Sequence, residues 1–211
     1  MLRHLMQGRR LAVCFCLSGA DGEGTDKTRH FDYLSQPDKF RHLAPELFDQ
    51  LAEFAISRTS SLDPLFALRT SGILRDALFV RHRVPRQASL RPAWAELLVN
   101  SVGDADLVYL DPESGIQGNR LTNRHVALDE IAALRAKDRV LIIGHHQSGR
   151  KAEVKYLADR MKSLGCELVE IVRLRLVASH LFVILDQDDT ISEATAIFAR
   201  RWGDWARSYR F

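Results

Sequence analysis

The chain is short of cysteine, of long apolar runs and of repetition, and each shortage removes a class of protein. Its 211 residues hold three cysteines, Cys14, Cys16 and Cys166, an odd number that cannot pair completely within one chain. That argues against a disulfide-stapled scaffold. Cys14 and Cys16 would point to the same side of a strand. A C-x-C pair without third and fourth ligands is weak ground for a metal, so they read as buried thiols. No apolar stretch approaches the roughly 20 residues that span a bilayer. The longest, Leu11 to Leu17, has the length of a strand. Arg3, Arg9 and Arg10 precede it as in a signal peptide, yet Asp21, Glu23 and Asp26 follow with no cleavage pattern. The run reads as a first core strand, with no membrane partner and a cytoplasmic location expected. No repeat, low-complexity tract or linker is visible.

What is present is a globular balance. Hydrophobic residues make up 46%, which argues against a disordered chain. The length suits one domain, residues 1–211, with a sizeable core. A net charge of +3 permits a nucleic-acid partner without requiring one. Basic residues do gather, at Arg81, His82, Arg83, Arg86 and Arg91, and again at Arg200, Arg201, Arg207 and Arg210.

Periodicity predicts alternating elements. Strands are expected at Leu11 to Leu17, Ala77 to Val80, Leu107 to Leu110, Val140 to Ile143, Leu168 to Leu176 and His180 to Leu185. Helices are expected at Pro45 to Ala55, Pro92 to Val99, Leu128 to Ala136, Lys151 to Leu164 and Ile191 to Ser208. Trp94 reads as core, and Trp202 with Trp205 as a packing stripe. The pattern predicts an α/β three-layer sandwich with a mostly parallel sheet. The three-residue link Val177-Ala178-Ser179 is too short for a parallel crossover, so the last two strands form an antiparallel hairpin.

The densest chemistry lies at Asp111-Pro112-Glu113-Ser114-Gly115. An apolar strand ends there in an acid and a turn, and open α/β sheets bind ligands outside the carboxyl ends of their strands. Asp111 reads either as a group that orients an amine, oxygen or cation, or as a strand-end acid capping its turn. Glu113 would join it in holding a metal, or be solvated. The next strand leads into Gly144-His145-His146-Gln147-Ser148-Gly149-Arg150-Lys151. His145 or His146 would serve as a general base there. Arg150 and Lys151 would hold a phosphate at a helix start. The plainer reading is a polar loop capped by Ser148. Gly19, Asp21, Gly22, Glu23 and Gly24 have the composition of a cofactor loop, and equally of a solvated turn. Arg81 and Arg83 would line a polyanion path, or simply lie at the surface.

The strand closing on Asp111-Pro112, together with the predicted hairpin, resembles the class I S-adenosylmethionine-dependent methyltransferases, a Rossmann-like fold. The nearest functional branch is the adenine-N6 enzymes, whose motif begins Asp/Asn-Pro. Glu113 and Ser114 depart from the rest of that motif, and Ser114 offers no stacking surface. Tyr109 would share Asp111's side, inside the strand. The stretch further resembles an uncharacterised bacterial family with an Asp-Pro-Asp-Asn-Gly-type motif followed by His and Arg, here His145 or His146 and Arg150. The resemblance implies S-adenosylmethionine near Gly19 to Gly24 and a substrate at Asp111, Pro112 and Glu113, and the basic clusters point to nucleic acid as that substrate. Two rivals remain. One is a nuclease or phosphoesterase holding a divalent metal on Asp111, Glu113 and His145 or His146. The other is a non-catalytic relative that only binds a partner.

Overall fold

The computed structural model describes residues 1–6, 8–18, 32–59, 68–118, 120–135, 139–146, 152–176 and 179–211. Its strands are β1 (Leu11–Leu17), β2 (Leu78–Arg83), β3 (Leu107–Pro112), β4 (Gly115–Ile116), β5 (His125–Val126), β6 (Val140–His146), β7 (Val169–Arg175), β8 (Ser179–Leu185) and β9 (Ala206–Arg210). The helices are α1 (Leu2–Leu5), α2 (Pro37–Phe40), α3 (Pro45–Thr59), α4 (Arg91–Ser101), α5 (Leu128–Arg135), α6 (Glu153–Ser163) and α7 (Asp189–Trp202). Among the described residues the main sheet has seven strands, in the order β2-β1-β3-β6-β8-β7-β9. The first four are mutually parallel. β8 runs against both β6 and β7, and β9 runs against β7. The sheet is therefore mixed, where a mostly parallel one was expected, because β8 and β9 pair antiparallel to their neighbours.

Side-chain alternation divides the core between the two faces of the sheet. On one face Leu11, Val13, Leu107, Ile142, Val172 and Ile184 pack with Leu5 of α1 and with Ile191 and Phe198 of α7. On the other, Cys14, Leu110, Ile143, Ile171 and Val183 pack with Trp94 and Leu98 of α4, Ile131 and Leu134 of α5 and Leu157 and Met161 of α6. Cys14, Cys16 and Cys166 are free and buried, as expected. Trp202 packs beneath Phe198, and Trp205 meets Phe40 edge-on with ring centres 4.9 Å apart.

Three expected element bounds also need correction. The final helix stops at Trp202, because Gly203 takes a positive φ of 49° that turns the chain. Ala206–Arg210 then forms edge strand β9, which the expected helix to Ser208 had absorbed. Strand β2 runs on to Arg83, so Arg81 and Arg83 stand within the sheet. Strand β6 runs on to His146 because β8 continues its ladder, pairing His145 with Leu181 and His146 with His180. The two histidines are strand residues and not the start of a loop.

Candidate active site

The chain leaves β1 for β2 on one side and returns to β3 on the other, so the topology switches between β1 and β3. At such a point the connections diverge and leave a crevice beyond the strand ends. Asp111, near the end of β3, lies directly across from Phe15 of β1, which in turn pairs with Arg81 of β2. The three positions make a row on the α1/α7 face, with Arg81 about 9.6 Å, or two strand spacings, from Asp111. Arg83 follows on the same face, and both arginines are exposed.

Asp111 opens into a cavity of about 370 Å³ shared with Tyr33, Tyr109, His146, Leu174, His180 and Phe182. That size is within the range of small-ligand pockets. The Tyr109 hydroxyl donates to Oδ1 of Asp111 at 2.9 Å. Burial, and the Asp111 charge beside it, push the Tyr109 phenol well above its ordinary pKa. It therefore stays protonated as a donor and fixes the carboxylate. Gly144 makes the arrangement possible. A Cβ there would lie 2.8 Å from the Tyr109 hydroxyl and 3.5 Å from Oδ1 of Asp111. Phe182 adds an aromatic face, its ring centre 6.3 Å from that of Tyr109. A larger hollow of about 520 Å³ lies between α1, α3 and α7, but no strand-end residue lines it.

The turn after Asp111 is built from the other face. Glu113 pairs with Arg124 at 2.5 Å, and the Ser114 N–H donates to the Arg124 carbonyl. Gly115 has a φ of +100°, and a Cβ there would fall 2.3 Å from Nδ1 of His145. Only glycine fits both the backbone conformation and the close approach. Nδ1 of His145 accepts from the Ile116 N–H at 3.0 Å, which leaves the proton on Nε2, 3.4 Å from Glu153. Burial lowers the His145 pKa, and Glu153 opposes that only in part. Arg91 and Glu130 form a buried pair beneath the same segment, and Arg91 also donates to the His125 carbonyl. The Asn123 amide donates to the Ser18 carbonyl, tying the segment to the end of β1.

The candidate residues thus separate. Asp111 and His146 share the cavity, and His145 touches it only from across the sheet, its ring committed to the turn. Pro112 is buried in strand β3, and Glu113 is held by Arg124 outside the cavity lining. Of the ligand set named for the metal-dependent rival, Asp111 and His146 share the cavity, while Glu113 and His145 are engaged elsewhere. Among the described residues no group of three or more His, Cys, Asp or Glu is placed to hold a metal ion. Gly19, Asp21, Gly22, Glu23 and Gly24, and also Arg150 and Lys151, lie outside the described residues. Among the described residues no helix is long and apolar enough to cross a membrane. Sequence reading passed over Gly144, His180 and Phe182. The signal for the latter two was the alternation along β8, which puts both on Asp111's face. Compared with known proteins, the chain matches no family model and no curated protein.

Proposed function

We propose that this chain is an S-adenosylmethionine-dependent methyltransferase of the Rossmann-like class I type, and that its Asp111 hollow receives an exocyclic amine of a nucleic-acid base. The observation that carries the reading is the placement of Asp111: a carboxylate at the switch point, fixed by Tyr109 and opening into an aromatic-walled cavity. Antiparallel pairing of β7 with β8 supports the reading, although β9 follows them as a further antiparallel strand.

The residues present fit such ligands. A carboxylate beside aromatic faces suits amines and cations, a sulfonium included. Tyr109 and Phe182 supply the flat surfaces that Ser114 lacks, so the stacking role moves from the turn to the sheet face. When bound, S-adenosylmethionine supplies an electrophilic methyl group. Asp111 accepts an N–H of the amine and aims the nitrogen lone pair along the line of transfer. Tyr109 holds the carboxylate in place, and the apolar wall of Leu174, Leu176 and Phe182 excludes water. Alignment is the main contribution, since methyl transfer asks little of acid–base groups. Arg81 and Arg83, on the same face, attract the phosphate backbone.

The test is thermal unfolding with and without S-adenosylmethionine or S-adenosylhomocysteine. Ligand at a hundred times its dissociation constant stabilises by about 2.7 kcal/mol. For a chain of this size that raises Tm by roughly 5–10 °C. No shift at millimolar ligand overturns the proposal.

A further inference from the structure

His146 and His180 form a second feature of the cavity that the methyl-transfer reading leaves unused. They are direct partners across the antiparallel β6–β8 ladder, with ring centres 4.6 Å apart and planes at 62°. Both line the 370 Å³ cavity, and His146 is exposed at its mouth. Directly opposed strand positions hold their Cβ atoms about 4.5–5.5 Å apart. Two imidazoles rooted this way can be brought to one point by side-chain rotation, without moving the backbone. In a tetrahedral zinc site with Zn–N near 2.0–2.1 Å, two ring centres lie about 5 Å apart, close to the separation seen. Leu174 is the partner of His180 on β7, and Phe182 follows on β8. They give the pair an apolar floor, and such a shell strengthens a metal site by limiting solvent access.

We propose that His146 and His180 chelate a divalent transition-metal ion of the zinc or nickel class at the mouth of the cavity. Imidazole nitrogen selects such borderline ions over calcium or magnesium, which take oxygen ligands. The remaining coordination positions face the cavity, where water or a donor atom of a bound molecule fills them. The site uses neither Glu113 nor His145, and it does not depend on the methyl-transfer reading.

The experiment is calorimetric titration of the tag-free chain with Zn²⁺ alone. Saturable binding of one ion is expected. His146→Asn and His180→Asn should each weaken it about a hundredfold, because each removes the chelate advantage. His42→Ala, on the exposed turn between α2 and α3, should leave it unchanged. Absence of saturable binding up to about 1 mM overturns the proposal, as does wild-type affinity in either asparagine variant. A second measurement holds even where a variant fails to fold. Substoichiometric Ni²⁺ should broaden the ring-proton resonances of His146 and His180 before those of the other histidines, and uniform broadening overturns the assignment. Zinc binding that persists without any S-adenosylmethionine response would leave this site standing and remove only the methyl-transfer reading.

Discussion

His145 and His146 are adjacent in the chain and lie on opposite faces of the sheet, in opposite circumstances. His145 is 9% exposed, accepts from the Ile116 N–H and fixes the turn that follows Asp111. His146 stands at the cavity mouth beside His180. One imidazole is spent on architecture, and its neighbour lines the cavity. The wider contrast is between the two faces of the sheet at its carboxyl end. The α4/α5/α6 face carries a bracket of His145, Glu153, Arg91 and Glu130 that shapes the Asp111 turn. The α1/α7 face carries the cavity. Polar side chains line a cavity on one side and are paired into the turn on the other.

That contrast can be broken at several points. Asp111→Asn should reduce methyl transfer to single-stranded oligonucleotides about a thousandfold, the scale of losing one well-placed polar group in a site. Its urea midpoint should stay near wild type, since the residue lies on the cavity face. An equal loss of stability would move Asp111 from the functional side to the structural one.

Gly115→Ala tests the bracket directly. The substitution combines a strained φ with a clash against His145, and should cost about 3 kcal/mol in chemical denaturation. His145→Ala should cost about 2 kcal/mol, because it leaves the buried Ile116 N–H without its acceptor. If His145→Ala instead removed activity and kept full stability, the division between the two histidines would be wrong.

The pH dependence follows from the lowered pKa of His145. The folded chain resists protonating this ring, while the unfolded chain takes up the proton near the ordinary value of 6.5. Stability is therefore fully present above that value and is lost as pH falls below it, until the folded ring also titrates. His125, lowered by burial and by neighbouring cations, adds in the same direction. Urea midpoints should drop between pH 7.5 and pH 5.5, by no more than about 1.4 kcal/mol per pH unit for each ring. His145→Ala should flatten that slope. The smallest effect is expected on the cavity side, where His146→Ala should leave stability within about 0.5 kcal/mol.

Much of the fold was legible because its signals are local. Leu11–Leu17 was bounded correctly at both ends, since the apolar run coincides with the paired strand. Trp94 was placed in the core by helical spacing, and it is 5% exposed. Strand β9 was illegible because Ala206-Arg207-Ser208-Tyr209-Arg210 carries no apolar alternation strong enough to stand against the helix before it. It is a strand because β7 pairs with it. The site was half legible. Asp111 announced itself by ending an apolar run before Pro112. The roles of Glu113 and His145 were hidden, because Arg124 and Ile116, their partners, meet them only through the fold of the turn.

The sequence by itself determined the alternation of helices and strands and the acid at the end of β3. Both follow from period and side-chain polarity within a few residues. Only the tertiary structure decided how far β2 and β6 run, since a strand continues as long as a neighbour supplies ladder hydrogen bonds. For β6 that neighbour is β8, and the extra length carries His145 and His146 to opposite faces. A side-chain period of two then does the rest. It sends one ring into the bracket and the other into the cavity with Asp111 and His180.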